Sequence, residues 1–164
     1  FCNQMKKLKS LTLFTLIAVS ISSCGYQLRG SIDIGGLENV NIISGNNNIT
    51  KILEQKLLKY KKDNVYESEY PTIRVLSIDS KTRQLSVNSS GRVDEYEINK
   101  TLKYQFIYSE QSILTGTLKA SASYDFNESQ MQGTREKENT ANEAVDRTLV
   151  RKLLLKFRAG FKAN

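Results

Sequence analysis

The sequence predicts an α+β fold: a two-layer sandwich with two helices packed on one face of a roughly four-stranded, mostly antiparallel sheet, in the order β-α-β-β-β-α. Three observations carry that expectation. Two consecutive stretches alternate apolar and polar residues with period two. Two other stretches place apolar residues at helical spacing. The helical stretches come one before and one after the main strands, so both can cover the same apolar sheet face.

Asn39 to Ser44 is a short strand candidate, closed by the turn residues Gly45-Asn46-Asn47-Asn48. Ile49, Ile52, Leu53, Leu57 and Tyr60 then form one helical stripe. Asn48 is the expected N-cap. Lys56, Lys59, Lys61 and Lys62 crowd the far end, where positive charge suits the helix dipole. Pro71 opens a strand region over Ile73 to Arg83, with Leu85 to Val87 as a possible continuation. Asn88-Ser89-Ser90-Gly91 is a turn.

The next strand carries Tyr96, Ile98, Leu102, Tyr104, Phe106 and Tyr108 on even positions, against Glu95, Glu97, Asn99, Thr101, Lys103 and Gln105 on odd ones. After a turn near Ser109 to Ser112 the parity repeats. Leu114, Leu118, Ala120, Ala122, Tyr124 and Phe126 are even, and Thr115, Thr117, Lys119, Ser121, Ser123 and Asp125 are odd. Such alternation means antiparallel strands with one apolar and one polar face. The polar face has no helix to cover it; it is either a wet face or a working surface. Asn127 to Asn139 is polar and reads as a loop, with Thr140-Ala141-Asn142-Glu143 as a capping box. Val145, Leu149, Leu153 and Phe157, flanked by Val150, Leu154 and Phe161, give the second amphipathic helix.

The N-terminal region has a different logic. Met5 is followed by Lys6, Lys7 and Lys9, then by eleven uncharged residues, Leu11 to Ile21. That run is too short for a bilayer core, which needs about 20 apolar residues, and has the length of a secretory h-region. Ile21-Ser22-Ser23-Cys24 fits a lipobox: small residues give a peptidase access, and the thiol takes the diacylglycerol. Residues 1–23 are therefore expected to be a signal peptide, with 1–4 as upstream sequence. Cys24 is expected to become S-diacylglycerol cysteine and N-palmitoyl cysteine, with 24–36 as the lipidated N-terminus and tether. Two or more acyl chains hold a protein stably on a membrane. The absence of Asp at position 25 favours the outer membrane.

Composition narrows the chemistry. Removing 23 residues leaves 141 of 164, one ordinary domain. Three of the 24 basic residues and none of the 17 acidic ones lie in the leader, so the mature charge is +4 rather than +7. With no His, and Cys24 committed to lipid, His-based acid–base work, thiol catalysis and the common zinc sites are excluded. No catalytic constellation is visible, so the chain is not expected to be an enzyme, and no cofactor or metal is implied. Nucleic acid is excluded as a partner by compartment and by the modest basic excess.

Several segments together resemble one family. They are Cys24-Gly25-Tyr26-Gln27-Leu28-Arg29-Gly30, Glu95-Tyr96 at the start of the second hairpin strand, Phe126-Asn127-Glu128-Ser129-Gln130-Met131, and Leu149-Val150-Arg151-Lys152-Leu153. Their order resembles LptE, the lipopolysaccharide-assembly lipoprotein family. The resemblance makes 37–164 a single LptE-like domain. It implies a non-enzymatic lipoprotein on the periplasmic side of the outer membrane. Such a protein plugs the LptD β-barrel, supports its assembly, and binds lipopolysaccharide. It further implies basic ligands near the hairpin tip and before the last helix. The second place is filled by Arg135, nine residues after Phe126, with Lys137 beside it. The first falls at Ser89, with Arg92 as the nearest base. A guanidinium suits phosphate through bidentate, charge-assisted bonds. The alternative is a generic lipid-anchored adaptor module with another envelope partner.

Overall fold

A computed structural model describes residues 39–45, 47–58 and 69–163. The expected signal peptide, Cys24 and the tether lie outside them, as do Tyr60 and the lysines at 59, 61 and 62. The elements are β1 (Asn41–Ile43), α1 (Asn48–Leu57), β2 (Thr72–Val87), β3 (Val93–Ser109), β4 (Ser112–Asp125), a 3-10 turn (Glu128–Gln130) and α2 (Met131–Ala163). The sheet runs β1-β2-β3-β4. β1 is parallel to β2, and the two long pairs are antiparallel. The expected order, β-α-β-β-β-α, and the two-layer arrangement of helices on sheet are both observed.

Even parity decides the core. Ile98, Leu102, Tyr104 and Phe106 of β3 and Leu118 and Ala120 of β4 are buried, as are Val145, Leu149, Val150, Leu153, Leu154 and Phe157 of α2. Ile49, Leu53 and Leu57 of α1 join the same cluster. β2 does not alternate cleanly, because register shifts fall between Val75 and Ser77 and between Gln84 and Ser86. Each shift inserts a residue and flips the facing of those that follow. Ile73 and Val75, but also Ile78, therefore face α1 and α2.

One buried charge pair locks the layers. Lys100 Nζ of β3 lies 2.7 Å from Asp146 Oδ1 of α2, and Asn48 Nδ2 of α1 donates to Asp146 Oδ2 at 2.8 Å. The Asp146 side chain is 5 % exposed and that of Lys100 12 %.

Two sequence expectations are corrected. The N-cap of α1 is Asn47, not Asn48: Asn47 has extended backbone, and its side chain accepts from Thr50 N at 2.9 Å. Asn48 is already helical, which frees its side chain for Asp146. The second correction is larger. Asn127 to Asn139 is not a loop, because α2 begins at Met131. Thr140 caps nothing; its hydroxyl donates to Glu136 O at 2.8 Å, inside the helix. Gln132, Arg135, Glu136, Lys137 and Glu138 are good helix formers without an apolar stripe. Thr134 supplies the missing anchor. It is buried, accepts from Asn127 N at 3.1 Å and donates to Asn127 O at 3.2 Å. One side chain thus satisfies both peptide groups of the residue that leaves β4.

Candidate functional site

The β2–β3 hairpin and the end of β4 meet at one end of the sheet. Asn88 N donates to Arg92 O at 2.8 Å, closing the turn. Asn88 Oδ1 accepts from Ser90 N and Arg92 N at 3.0 and 3.1 Å. Gly91, at φ 73°, supplies the left-handed residue the turn requires. Phe126 N donates to Asp94 O at 2.8 Å, which ties the exit of β4 to the start of β3. Asn127 then caps the 3-10 turn, accepting from Ser129 N at 3.0 Å.

Between these segments lies a cleft of about 450 Å³, lined among others by Asn88, Arg92, Asp94, Asn127, Glu128 and Ser129. Behind it, Tyr96 stacks on Tyr124 at 5.9 Å and meets Phe126 edge-on at 5.2 Å. Burial pushes the Tyr124 phenol up, with Glu138 and Tyr96 adding to the effect. The tip is therefore a stiff aromatic platform under a polar cleft.

The structure brings the hairpin tip against the segment that precedes α2. Arg92 Nη1 lies 3.4 Å from Glu128 Oε2, so the hairpin tip touches the segment before α2. Arg135 and Lys137 sit on the first turns of α2 rather than in a loop, and both are exposed. They do not converge. Two residues apart on an α-helix project about 200° apart. Lys137 turns towards β4 and reaches Asp125 Oδ2 at 2.9 Å, whereas Arg135 makes no ion pair with a described residue.

Asp125 is the register partner of Glu95 on β3. Like charges directly opposite are unfavourable, and Lys137 offsets that repulsion. Asp94, Glu95, Asp125 and Glu128 outnumber the three cations of interest here. The tip is thus a mixed-charge cleft and not a basic patch. That balance was not legible in the sequence, because the register that sets Glu95 against Asp125 is tertiary. Among the described residues, no group of three or more acidic or cysteine side chains could hold a metal ion.

A family model described as LptE, Lipopolysaccharide-assembly, matches residues 37–157. The chain belongs to the LptE family. A search of curated proteins finds no significant match. Among solved structures, the chain is similar to rare lipoprotein B from Shewanella oneidensis, with a TM-score of 0.65 at 13 % identity, covering 73 % of this chain and 93 % of that one. It is also similar to an uncharacterized lipoprotein B from Nitrosomonas europaea, with a TM-score of 0.62 at 20 % identity, covering 79 % and 88 %. A minor lipoprotein from Acinetobacter baumannii gives 0.59 at 16 % identity, covering 75 % and 92 %. At these identities the likeness is one of fold.

Proposed function

We propose that this LptE-family chain is a non-enzymatic lipoprotein of the outer membrane, held on its periplasmic side through Cys24. It plugs and supports the assembly of an LptD-like β-barrel and binds lipopolysaccharide during insertion into the outer leaflet. One observation carries the binding half: Arg92 of the hairpin tip and the Glu128 segment before α2 fold against one another around a cleft. The contact supports the reading for Arg92, at the hairpin-tip position that the family resemblance implies. Arg135 is the principal phosphate ligand, because no carboxylate among the described residues pairs with it. Arg92 assists, and Lys137 contributes less, being committed to Asp125.

The test has two arms. Co-purification from detergent-solubilised membranes is expected to bring down a large β-barrel protein; recovery without one refutes the plug. Pull-down with purified lipopolysaccharide is expected to weaken for Arg135→Asp; unchanged binding refutes the ligand assignment. Cys24→Ala is expected to abolish incorporation of labelled palmitate, while barrel binding persists through the folded domain.

A further inference from the structure

The sheet ends on β4, whose second edge pairs with no strand among the described residues. Phe126 N donates to Asp94 O across the seam with β3, so the even residues of this stretch turn their peptide groups towards β3. The odd ones therefore turn theirs outward. A side chain agrees with that alternation: Lys152 Nζ of α2 donates to Lys119 O at 2.7 Å. From Ile113 to Asp125 the strand runs against β3 without a register shift. It carries no proline, and its only charge short of Asp125 is Lys119. Bulges, prolines and charges commonly guard such an edge. Here the guard is Lys152.

Lys119 and Lys152 stand on opposite faces of this edge. Leu118 and Ala120 are buried on the helix side, so period two sends the Lys119 side chain to the other face. Lys152 reaches down on the helix side, beside a recess of about 320 Å³ lined among others by Lys100, Ala120 and Thr148. No carboxylate lines that recess. Asp146 is already held by Lys100 and Asn48. Neither the Lys119 nor the Lys152 ammonium makes an ion pair with a described residue. A single small anion does not reach both. An extended chain does, because its successive side chains point to opposite faces. Apolar surface continues along the edge. Leu114 of β4 is exposed, and so is Leu155, three residues on from Lys152 and hence on the same side of α2.

We propose that the β4 edge is a docking site for an extended segment of a partner protein with two adjacent acidic residues, one for each lysine. Lys152 is its gate. In the free protein the ammonium occupies Lys119 O. A neutral strand has to displace it and lose a charge-assisted hydrogen bond. An acidic side chain on the helix side draws the ammonium to itself and frees that carbonyl. The neighbouring acid lies on the other face, opposite Lys119. Charge argues against a second copy of this chain as the occupant. Pairing most of one β4 with another brings Lys119 and Lys152 of both copies to one seam, where like charges are unfavourable. Asp125, at the end of the strand, is held by Lys137.

The test is amide exchange of the ¹⁵N-labelled full chain with a synthetic peptide, acetyl-Thr-Val-Thr-Asp-Glu-Val-Thr-amide, and with its neutral Asn-Gln counterpart. The expected result is saturable protection at Thr117, Lys119 and Ser121, at roughly millimolar acidic peptide. Leu118 and Ala120 are expected to stay unchanged, because their amides already face β3. The neutral peptide is expected to bind at least about threefold more weakly. Lys119→Gln removes none of the hydrogen bonds described above, so its spectrum is expected to remain that of the folded protein, with the preference for the acidic peptide reduced about two- to fivefold. Lys152→Ala is expected to bind the neutral peptide more tightly than the wild type does. Absence of protection at the odd residues, or equal binding of the two peptides by the wild type, overturns the proposal. Protection there that rises with protein concentration alone assigns the edge to a second copy and overturns it as well. The site uses no residue of the hairpin tip, so lipopolysaccharide binding through Arg135 and peptide binding at β4 can each fail alone.

Discussion

Tyr108 and Phe157 hold the base of the molecule shut: their rings stack at 5.2 Å, and Tyr108 Oη donates to Phe157 O at 2.9 Å. The hydroxyl thus satisfies a carbonyl in the last turns of α2. The tyrosine fits only because residue 160 is glycine. A Cβ built there meets the Tyr108 hydroxyl and ring at less than any real contact distance. Gly160→Ala in an exposed helix normally gains about 1 kcal/mol. Here it is expected to lose about 1–3 kcal/mol, as overpacking does. Urea unfolding measures the sign. Tyr108→Leu in the Gly160→Ala background is expected to remove most of the penalty attached to the alanine.

The same tyrosine gives a pH signature. Burial, with Tyr104 adding to it, pushes the Tyr108 phenol from 10.0 to about 12. Between those values the folded chain keeps a proton that the unfolded chain has lost, so stability falls as pH rises. Tyr108's contribution is complete below pH 10 and is lost as pH climbs through 12. The stability gap between the wild type and Tyr108→Phe is expected to narrow over that window. A gap that stays constant to pH 12 refutes the assignment.

Much of this was legible in the sequence, and the misses share a physical cause. Strand parity marked Ile98, Leu102, Tyr104 and Phe106 as core, since period two survives wherever no bulge intervenes. It failed on β2, where two register shifts change which residues face inward. The start of α2 was missed because its first turns carry no apolar stripe. They are held by Thr134, a polar side chain that doubles back to Asn127. Arg92 and Arg135 were legible as candidates, but Glu128 as Arg92's partner was not. That pairing spans 36 residues and exists only once β4 has folded against β3.

Lys100 and Asp146 form the most deeply buried ion pair among the described residues. Removing one partner strands the other charge in the core, which typically costs about 3–5 kcal/mol. Lys100→Met is expected to fall in that range by urea unfolding. Asn48 donates to the other Asp146 oxygen and cannot neutralise the charge. Replacing both partners, Lys100→Met with Asp146→Leu, is expected to recover most of the loss, since two apolar groups leave no buried charge. A single-variant cost below about 1 kcal/mol would show that the pair is solvated in solution.

At the tip, the two ion pairs predict opposite responses to lipopolysaccharide. Arg92 must leave Glu128 before its guanidinium can grip a phosphate, and their contact is long, at 3.4 Å, and exposed. Glu128→Gln removes the competing charge and the local repulsion of an anionic ligand. Exposed pairs of this kind are worth up to about 1 kcal/mol, so affinity is expected to rise by about two- to fivefold. Lys137 is different: it lies 2.9 Å from Asp125 and offsets the Glu95–Asp125 repulsion across the strands. Lys137→Ala is expected to lower stability by under about 1 kcal/mol, with a smaller effect on lipopolysaccharide binding than Arg135→Asp. Binding measured side by side for Glu128→Gln, Lys137→Ala and Arg135→Asp ranks the three positions. If Glu128→Gln weakens binding, Glu128 is positioning Arg92 for the ligand rather than competing with it. In that event the mixed charge of the cleft is part of how it recognises its substrate.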